Sequence, residues 1–165
     1  MPMTFTKSTD SGGGGGGGGG GASMIACRAS ASAASHPGDG WVYMDFTTFD
    51  INVGGFSRSG SDFITVPVSG VYAASGSFVA TPLPAQPVKF ILDAADSENN
   101  GRTMTRGFVE LPNIGYWGTS GSVLFSLSAG QSLRFRMYLA NNNGGTPLGV
   151  EIPFEQWDFS LFRVG

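Results

Sequence analysis

One segment of this chain, residues 62–77, restricts the fold more than any other. It reads D-F-I-T-V-P-V-S-G-V-Y-A-A-S-G-S, two short runs of strand-forming residues joined by a turn. The first run, residues 63–68, is apolar at both parities, as expected of a strand buried between two sheets. Pro67 sets φ early in the turn, and Gly70 accepts the conformation needed at its exit. The segment predicts a hairpin within an all-β domain.

The rest of the chain also favours strands and turns. Charged residues make up only 13 % of the 165 residues, and no segment has the apolar spacing of a helix of three turns. In residues 131–139, Leu133, Phe135 and Met137 alternate with Arg134 and Arg136, as in a half-buried strand. We expect the two arginines to pair with Glu110 or Glu151 across subunits or to stay solvated.

The same patterns predict the boundaries of several strands and loops. Residues 41–48 alternate without a break and predict one long strand, which is followed by a loop over residues 52–60. Residues 112–121 are predicted to form a loop, and residues 96–101 to form a hairpin tip. The total is nine or ten strands, at the spacing of a sandwich or jelly roll.

The chain divides into three parts. Residues 1–11 are polar and unpatterned, so they become ordered only on a partner, and we interpret them as an anchoring peptide. Residues 12–21 are ten consecutive glycines, either a flexible tether or an extended stalk of about 31 Å in a polyproline-II-like form. Residues 22–165 form the head domain. The candidate anchoring residues are Met1, Met3, Phe5 and Lys7, and the stalk is represented by Gly12, Gly16 and Gly21.

Composition argues against several functions. A net charge of −3 supplies no basic field for nucleic acid. No apolar run reaches the roughly 20 residues that cross a bilayer, and the first residues lack the order of a secretory signal, so we expect neither membrane insertion nor export. Cys27 is the only cysteine and is interpreted as a small buried residue rather than a reactive thiol.

Few residues suit catalysis or metal binding. His36 is the only histidine and lies in a turn without a partner for acid–base or nucleophilic chemistry. Oxygen ligands occur in residues 93–99, but their spacing does not match an EF-hand loop. We therefore expect no catalytic residues, no metal site and no cofactor.

The order of motifs resembles the trimeric jelly roll shared by the globular head of the complement first-component q subunit and the tumour necrosis factor family. The motifs are F-T-T-F-D at 46–50 followed by Gly54-Gly55-Phe56, then F-I-T-V-P-V-S-G-V-Y at 63–72, S-G-S-V-L-F-S-L-S-A-G-Q-S-L-R-F-R at 120–136, and W-D-F-S-L-F at 157–162. The resemblance implies a ten-stranded antiparallel jelly-roll sandwich that assembles as a homotrimer. Gln131 and Ala73-Ala74 depart from the family pattern.

A short polar N-terminus, a glycine run and a jelly-roll head also resemble bacteriophage tail-fibre, tail-tip or capsid-decoration proteins. This resemblance implies a non-enzymatic virion structural protein, assembled in the host cytoplasm, whose N-terminus contacts other virion proteins and whose head binds a host surface glycan or protein. The alternatives are a secreted binding module of the same fold and a glycan-cleaving enzyme. The candidate partner-binding residues lie in loops, at Asn99, Tyr116, Trp117 and Asn142. For Tyr116 and Trp117, the alternative is that they cover the core or fill the trimer axis.

Overall fold

The computed structural model describes residues 24–31, 35–36, 40–80, 88–109, 117–141 and 152–165. These residues form strands and turns, and none of them forms a helix that could span a membrane. The predicted anchoring peptide and the predicted glycine stalk lie outside the described residues. The strands are β1 (Ala26–Ala31), β2 (Ser35–His36), β3 (Gly40–Tyr43), β4 (Phe46–Val53), β5 (Ser57–Ser59), β6 (Phe63–Thr65), β7 (Gly70–Ala80), β8 (Val88–Asp96), β9 (Gly101–Val109), β10 (Trp117–Leu127), β11 (Ser132–Asn141) and β12 (Ile152–Arg163).

The strands form two antiparallel sheets, which confirms the predicted all-β jelly-roll sandwich. The first sheet has the order β10-β7-β12-β1-β4, with β2 pairing to β12. The second has the order β5-β6-β11-β8-β9, with β3 pairing to β11. The described residues therefore contain twelve strands rather than ten, because β2 and β5, of two and three residues, are too short to be recognised from an alternating pattern.

The core lies between the sheets. It is built by strands in which buried and outward-facing side chains alternate. Leu133, Phe135, Met137 and Leu139 of β11 are fully buried, as the alternation predicted. From the opposite sheet, β12 contributes Phe159, whose ring stacks on that of Phe135 with centroids 5.1 Å apart. Because β11 and β12 are central in their sheets, the residues between their buried side chains face outward and form the two outer surfaces.

The predicted hairpin at residues 62–77 is wrong in one respect. Its two runs do form strands, β6 and β7, but β6 pairs with β5 and β11 whereas β7 pairs with β10 and β12. The turn at residues 66–69 therefore carries the chain from one sheet to the other. Tyr72 stabilises this turn, because its hydroxyl donates a hydrogen bond of 2.7 Å to the carbonyl of Val68. In the first run, residues 63–68, Ile64 and Val66 are buried, whereas Val68 is exposed at the surface.

Two other predicted boundaries also differ from the structure. The strand expected over residues 41–48 is two strands, because the chain crosses between sheets at Met44 and Asp45: β3 pairs with β11, and β4 pairs with β1. The loop expected up to residue 121 ends earlier, since β10 already begins at Trp117 and pairs with β7 along its whole length. Alternation alone does not show which sheet a strand joins, so such crossings are missed.

Candidate interaction surfaces

The outer face of the first sheet carries a continuous row of apolar side chains. In the strand register, Leu124 of β10 is opposite Ala73 of β7, which is opposite Phe162 of β12. Phe162 is in turn opposite Ala26 of β1, and Ala26 is opposite Val53 of β4. We call these five residues the apolar row. Leu124, Phe162 and Val53 are 53 %, 43 % and 46 % exposed, so the row lies open on the surface.

Further apolar side chains enlarge this surface. Val71 and Val164 are exposed beyond one side of the row and are joined by a backbone hydrogen bond of 2.8 Å. Ile51 lies on the other side, and Met24 lies two residues before β1. Extended apolar patches of this kind are uncommon on a monomeric protein and mark an interaction surface.

Beside the apolar row, the same face becomes polar and concave. The next cross-strand position holds Ser122, Ser75, Ser160 and Arg28 and ends at Ile51 of β4, and the position after it holds Ser120, Ser77 and Asp158. These small side chains leave a hollow of about 460 Å³. Arg28 and Asp158 form an ion pair of 3.1 Å at its edge. The first sheet therefore presents an apolar half and a hydroxyl-lined half.

The outer face of the second sheet carries a different arrangement, in which arginines stack on aromatic rings. The Cζ of Arg134 lies 4.0 Å from the ring centroid of Tyr43 and 4.9 Å from that of Phe63. The Cζ of Arg136 lies 4.2 Å from the ring centroid of Trp41. We call Phe63, Arg134, Tyr43, Arg136, Trp41 and Tyr138 the arginine–aromatic ladder; its last pair, Trp41 and Tyr138, has centroids 5.5 Å apart.

Carboxylates hold both arginines in place. Arg136 donates from Nε and Nη2 to Oδ2 of Asp93, at 3.3 and 3.0 Å, and both residues are buried. Burial raises the pKa of Asp93, and the hydrogen bond and charge of Arg136 oppose that increase. Arg134 pairs with Asp62 at 3.2 Å and also donates to Asn99. The expectation of intersubunit or solvated arginines is therefore wrong, because acidic partners lie on the same sheet and in its turns.

The four predicted partner-binding residues have different outcomes. Asn99 is exposed in the β8–β9 turn, has a positive φ of 66°, and accepts a hydrogen bond from Arg134. Trp117 is only 8 % exposed and packs against Phe78 and Phe90, with ring centroids 4.9 and 5.6 Å away. Its ring thus belongs to the core, in line with the alternative interpretation. Tyr116 and Asn142 lie outside the described residues.

The β8–β9 turn is organised by one carboxylate. Oδ1 of Asp96 accepts hydrogen bonds from the backbone amides of Glu98 and Asn100, both at 2.9 Å, and Oδ2 accepts one from the Asn100 side chain. Slight burial raises the pKa of Asp96, but these hydrogen bonds lower it by more, so the pKa lies below its ordinary value. Asp96 therefore remains ionised as a structural turn residue.

The described residues offer little for catalysis. They contain no cluster of three or more His, Cys, Asp or Glu side chains that could hold a metal ion. Cys27 is 2 % exposed, and burial raises the pKa of its thiol to about 12, so the thiol stays protonated at neutral pH. This confirms its interpretation as a small buried residue. His36 was predicted to lie in a turn, which is wrong, because it belongs to β2, whose backbone pairs with β12.

Sequence reasoning missed both outer surfaces, although part of the signal was present. Arg136 occupies the outward parity of β11, whose inward parity was recognised, whereas Phe162 lies in the motif at residues 157–162, for which no parity was predicted. Within one strand, the signal of an outer surface is an apolar residue at an outward position or an arginine next to an aromatic residue. The apolar row and the ladder each require the register of several strands, which one sequence does not reveal.

Comparison with known proteins supports the fold alone. Neither a protein-family model nor a curated protein matches the chain. Among solved structures, murine APRIL at pH 8.0 superposes with a TM-score of 0.55 at 12 % identity, covering 86 % of this chain and 99 % of that one. The globular domain of zebrafish complement 1qA protein superposes with a TM-score of 0.54 at 13 % identity, covering 86 % and 98 %. The head thus has the jelly-roll fold of the family that its sequence resembles.

Proposed function

We propose that this chain is a non-enzymatic, homotrimeric binding head of a bacteriophage virion. In this proposal, residues 1–11 attach to other virion proteins, the glycine run forms the stalk or linker, and the head points toward the host surface. The observation that carries the trimer is the apolar row, which crosses five strands on one face. The jelly-roll fold also supports the trimer, because the family that the sequence resembles implies assembly as a homotrimer.

The apolar row suits a second copy of the same chain for a physical reason. Phe162 and Leu124 flank Ala73, so two large side chains stand on either side of a small one. Such a surface can receive an apolar side chain of a neighbour between them. Removing these side chains from water in every subunit supplies the area-dependent hydrophobic term that drives obligate assembly.

A secreted binding module of the same fold is the alternative. It shares the trimer and the surfaces of the head, and it differs only in what residues 1–21 attach to. The order of a polar peptide, ten glycines and a head favours attachment to a larger particle, because a peptide without a core is ordered only by a partner. The virion assignment rests on this order and on the sequence resemblance.

The trimer is tested by placing a charge in the apolar row. We expect Phe162→Glu to convert the protein from a trimer to a folded monomer at micromolar concentration, because an unpaired buried carboxylate at each interface costs several kcal/mol, about 3 or more. Sedimentation velocity measures the mass, and circular dichroism confirms the fold. Ser97→Glu, in the exposed β8–β9 turn, adds the same charge elsewhere and should remain a trimer. A wild-type monomer at this concentration contradicts the proposal.

The attachment role is tested separately by truncation. Removing residues 1–21 is expected to leave a folded trimeric head that no longer enters phage particles, whereas removing only residues 12–21 should keep the head on the particle. Immunoblots of purified particles measure incorporation. If the head lacking residues 1–21 is incorporated as well as the full chain, the proposed anchor is wrong. If neither version of the chain occurs in particles, the secreted alternative is favoured.

A further inference from the structure

We propose that the arginine–aromatic ladder on the second sheet is a binding site for an acidic saccharide, with Trp41 and Tyr43 stacking on sugar rings and Arg106 binding the anionic group. The site deepens the proposed function, on which it rests, by naming where the head binds and what chemistry it recognises. It lies on the outer face opposite to the apolar row, so a trimer built through the first sheet leaves it accessible.

The first argument is that these rings are exposed yet fixed. Trp41 and Tyr43 are 36 % and 39 % exposed, although each lies against a guanidinium that is itself hydrogen-bonded. Arg136 is 8 % exposed and held by Asp93. Rings that are already immobilised lose little conformational entropy when a ligand stacks on them. The ladder is therefore preorganised for binding.

The second argument concerns charge. The guanidinium of Arg134 is matched by Asp62, and that of Arg136 by Asp93, so the ladder itself is close to neutral. Arg106 is exposed on β9 and has no ion pair among the residues that the structure describes. It lies in the same cross-strand row as Trp41, in the order Trp41, Tyr138, Ile91, Arg106. One face thus joins neutral aromatic rings to a free cation.

The spacing defines the ligand. Three strand separations lie between Trp41 and Arg106, a distance of about 14 Å. A ligand that uses both ends needs a flat apolar surface at one end and a carboxylate or phosphate at the other. Guanidinium binds either anion through paired hydrogen bonds. A short saccharide chain bearing a uronic acid or a phosphate has this combination.

The exposed area favours a saccharide over a protein partner. The exposed parts of the two rings amount to roughly 150 Å², given the 150–250 Å² that an aromatic side chain can bury. A stable protein interface needs about 800 Å² from each partner. A small contact of this kind is weak in one head, and three heads on one particle would strengthen it by avidity.

The test is calorimetric titration of the full chain with short oligosaccharides that each bind a single head. The probes are a panel bearing uronic acid or phosphate, each with its neutral counterpart of equal length, and an oligoglutamate peptide. We expect an acidic oligosaccharide to bind and its neutral counterpart to bind at least tenfold more weakly, since charge-assisted hydrogen bonds contribute about 1.5–3 kcal/mol. Absence of binding by every acidic probe, or equal binding of the neutral ones, overturns the proposal. Equal or stronger binding of oligoglutamate overturns it in favour of an acidic protein partner.

Variants locate the site on the ladder. Trp41→Ala and Arg106→Gln are each expected to weaken binding about tenfold or more. Arg102→Gln is the matched control, because it removes the same charge from β9, where its guanidinium lies over Phe125 and donates to the carbonyl of Leu124. If the Arg106→Gln and Arg102→Gln variants bind alike, the site is wrong. Sedimentation of the same samples reports the trimer independently, so binding by a monomeric wild type would refute the proposed assembly without refuting the site.

Discussion

Asp93→Ala is expected to lower the free energy of unfolding by about 3–5 kcal/mol, the cost of leaving a buried charge without its partner. Asp93 and Arg136 are 4 % and 8 % exposed, and Asp93 accepts two hydrogen bonds from the guanidinium. Without the carboxylate, Arg136 must stay buried and uncompensated or leave its place against Trp41. Denaturation in guanidinium chloride at one fixed protein concentration measures the loss.

Two further variants show whether the lost pairing causes the effect. Asp62→Ala breaks the other ion pair, but Asp62 is more exposed than Asp93, so we expect a loss of only about 1 kcal/mol. The double variant Asp93→Leu, Arg136→Met replaces both charges by apolar side chains and should recover most of the stability lost in Asp93→Ala. A double variant that is less stable than Asp93→Ala contradicts this explanation.

Gly76→Ala is expected to destabilise the head by about 3 kcal/mol, the upper range of overpacking in a close-packed core. Gly76 lies in the middle of β7, and a Cβ built there would overlap the ring of Phe135 from the opposite sheet. Phe135 cannot retreat easily, because its ring stacks on Phe159 and also packs against Trp157 at a centroid distance of 5.8 Å. The free energy of unfolding, again from denaturant titration, measures the cost.

A compensating substitution tests the contact directly. Phe135→Leu removes the ring, so the double variant Gly76→Ala, Phe135→Leu should lose at least 1 kcal/mol less than the sum of the two single losses. Ser75→Ala serves as the control, because Ser75 immediately precedes Gly76 in β7 and lines the hollow on the outer face. Its effect should stay within about 0.5 kcal/mol. Additive losses in the double variant would exclude the overlap as the cause.

The strands were largely predictable because their signal is local. In β11, the alternation of Leu133, Phe135 and Met137 with Arg134 and Arg136 revealed both the strand and its buried side. The β8–β9 hairpin was also predicted, and the strands pair as expected around a turn that Asp96 holds. Local preference failed where the chain changes sheet, at Met44 and at residues 66–69, because a turn between sheets has the same residues as a turn within one.

The surfaces were less predictable than the strands. Trp117 was predicted to lie in a loop, either exposed to partners or covering the core, yet it begins β10 and is buried against Phe78. Phe162 was recognised only as part of the motif at residues 157–162, yet its side chain faces outward in the apolar row. Both differences arise because a partner strand, rather than the residue's own neighbours, determines what covers a side chain.

The sequence by itself determined that the head is an all-β sandwich, which parity of β11 is buried, and that Cys27 is a core residue. These properties follow from the alternation of apolar side chains and from turn residues, both of which act over a few positions. Only the tertiary structure decided that the chain crosses between sheets after β6, that five strands align one apolar row, and that Arg136 joins Asp93 beneath Trp41. Such features depend on register between strands distant in the chain, and register is set by the packing of the whole sandwich.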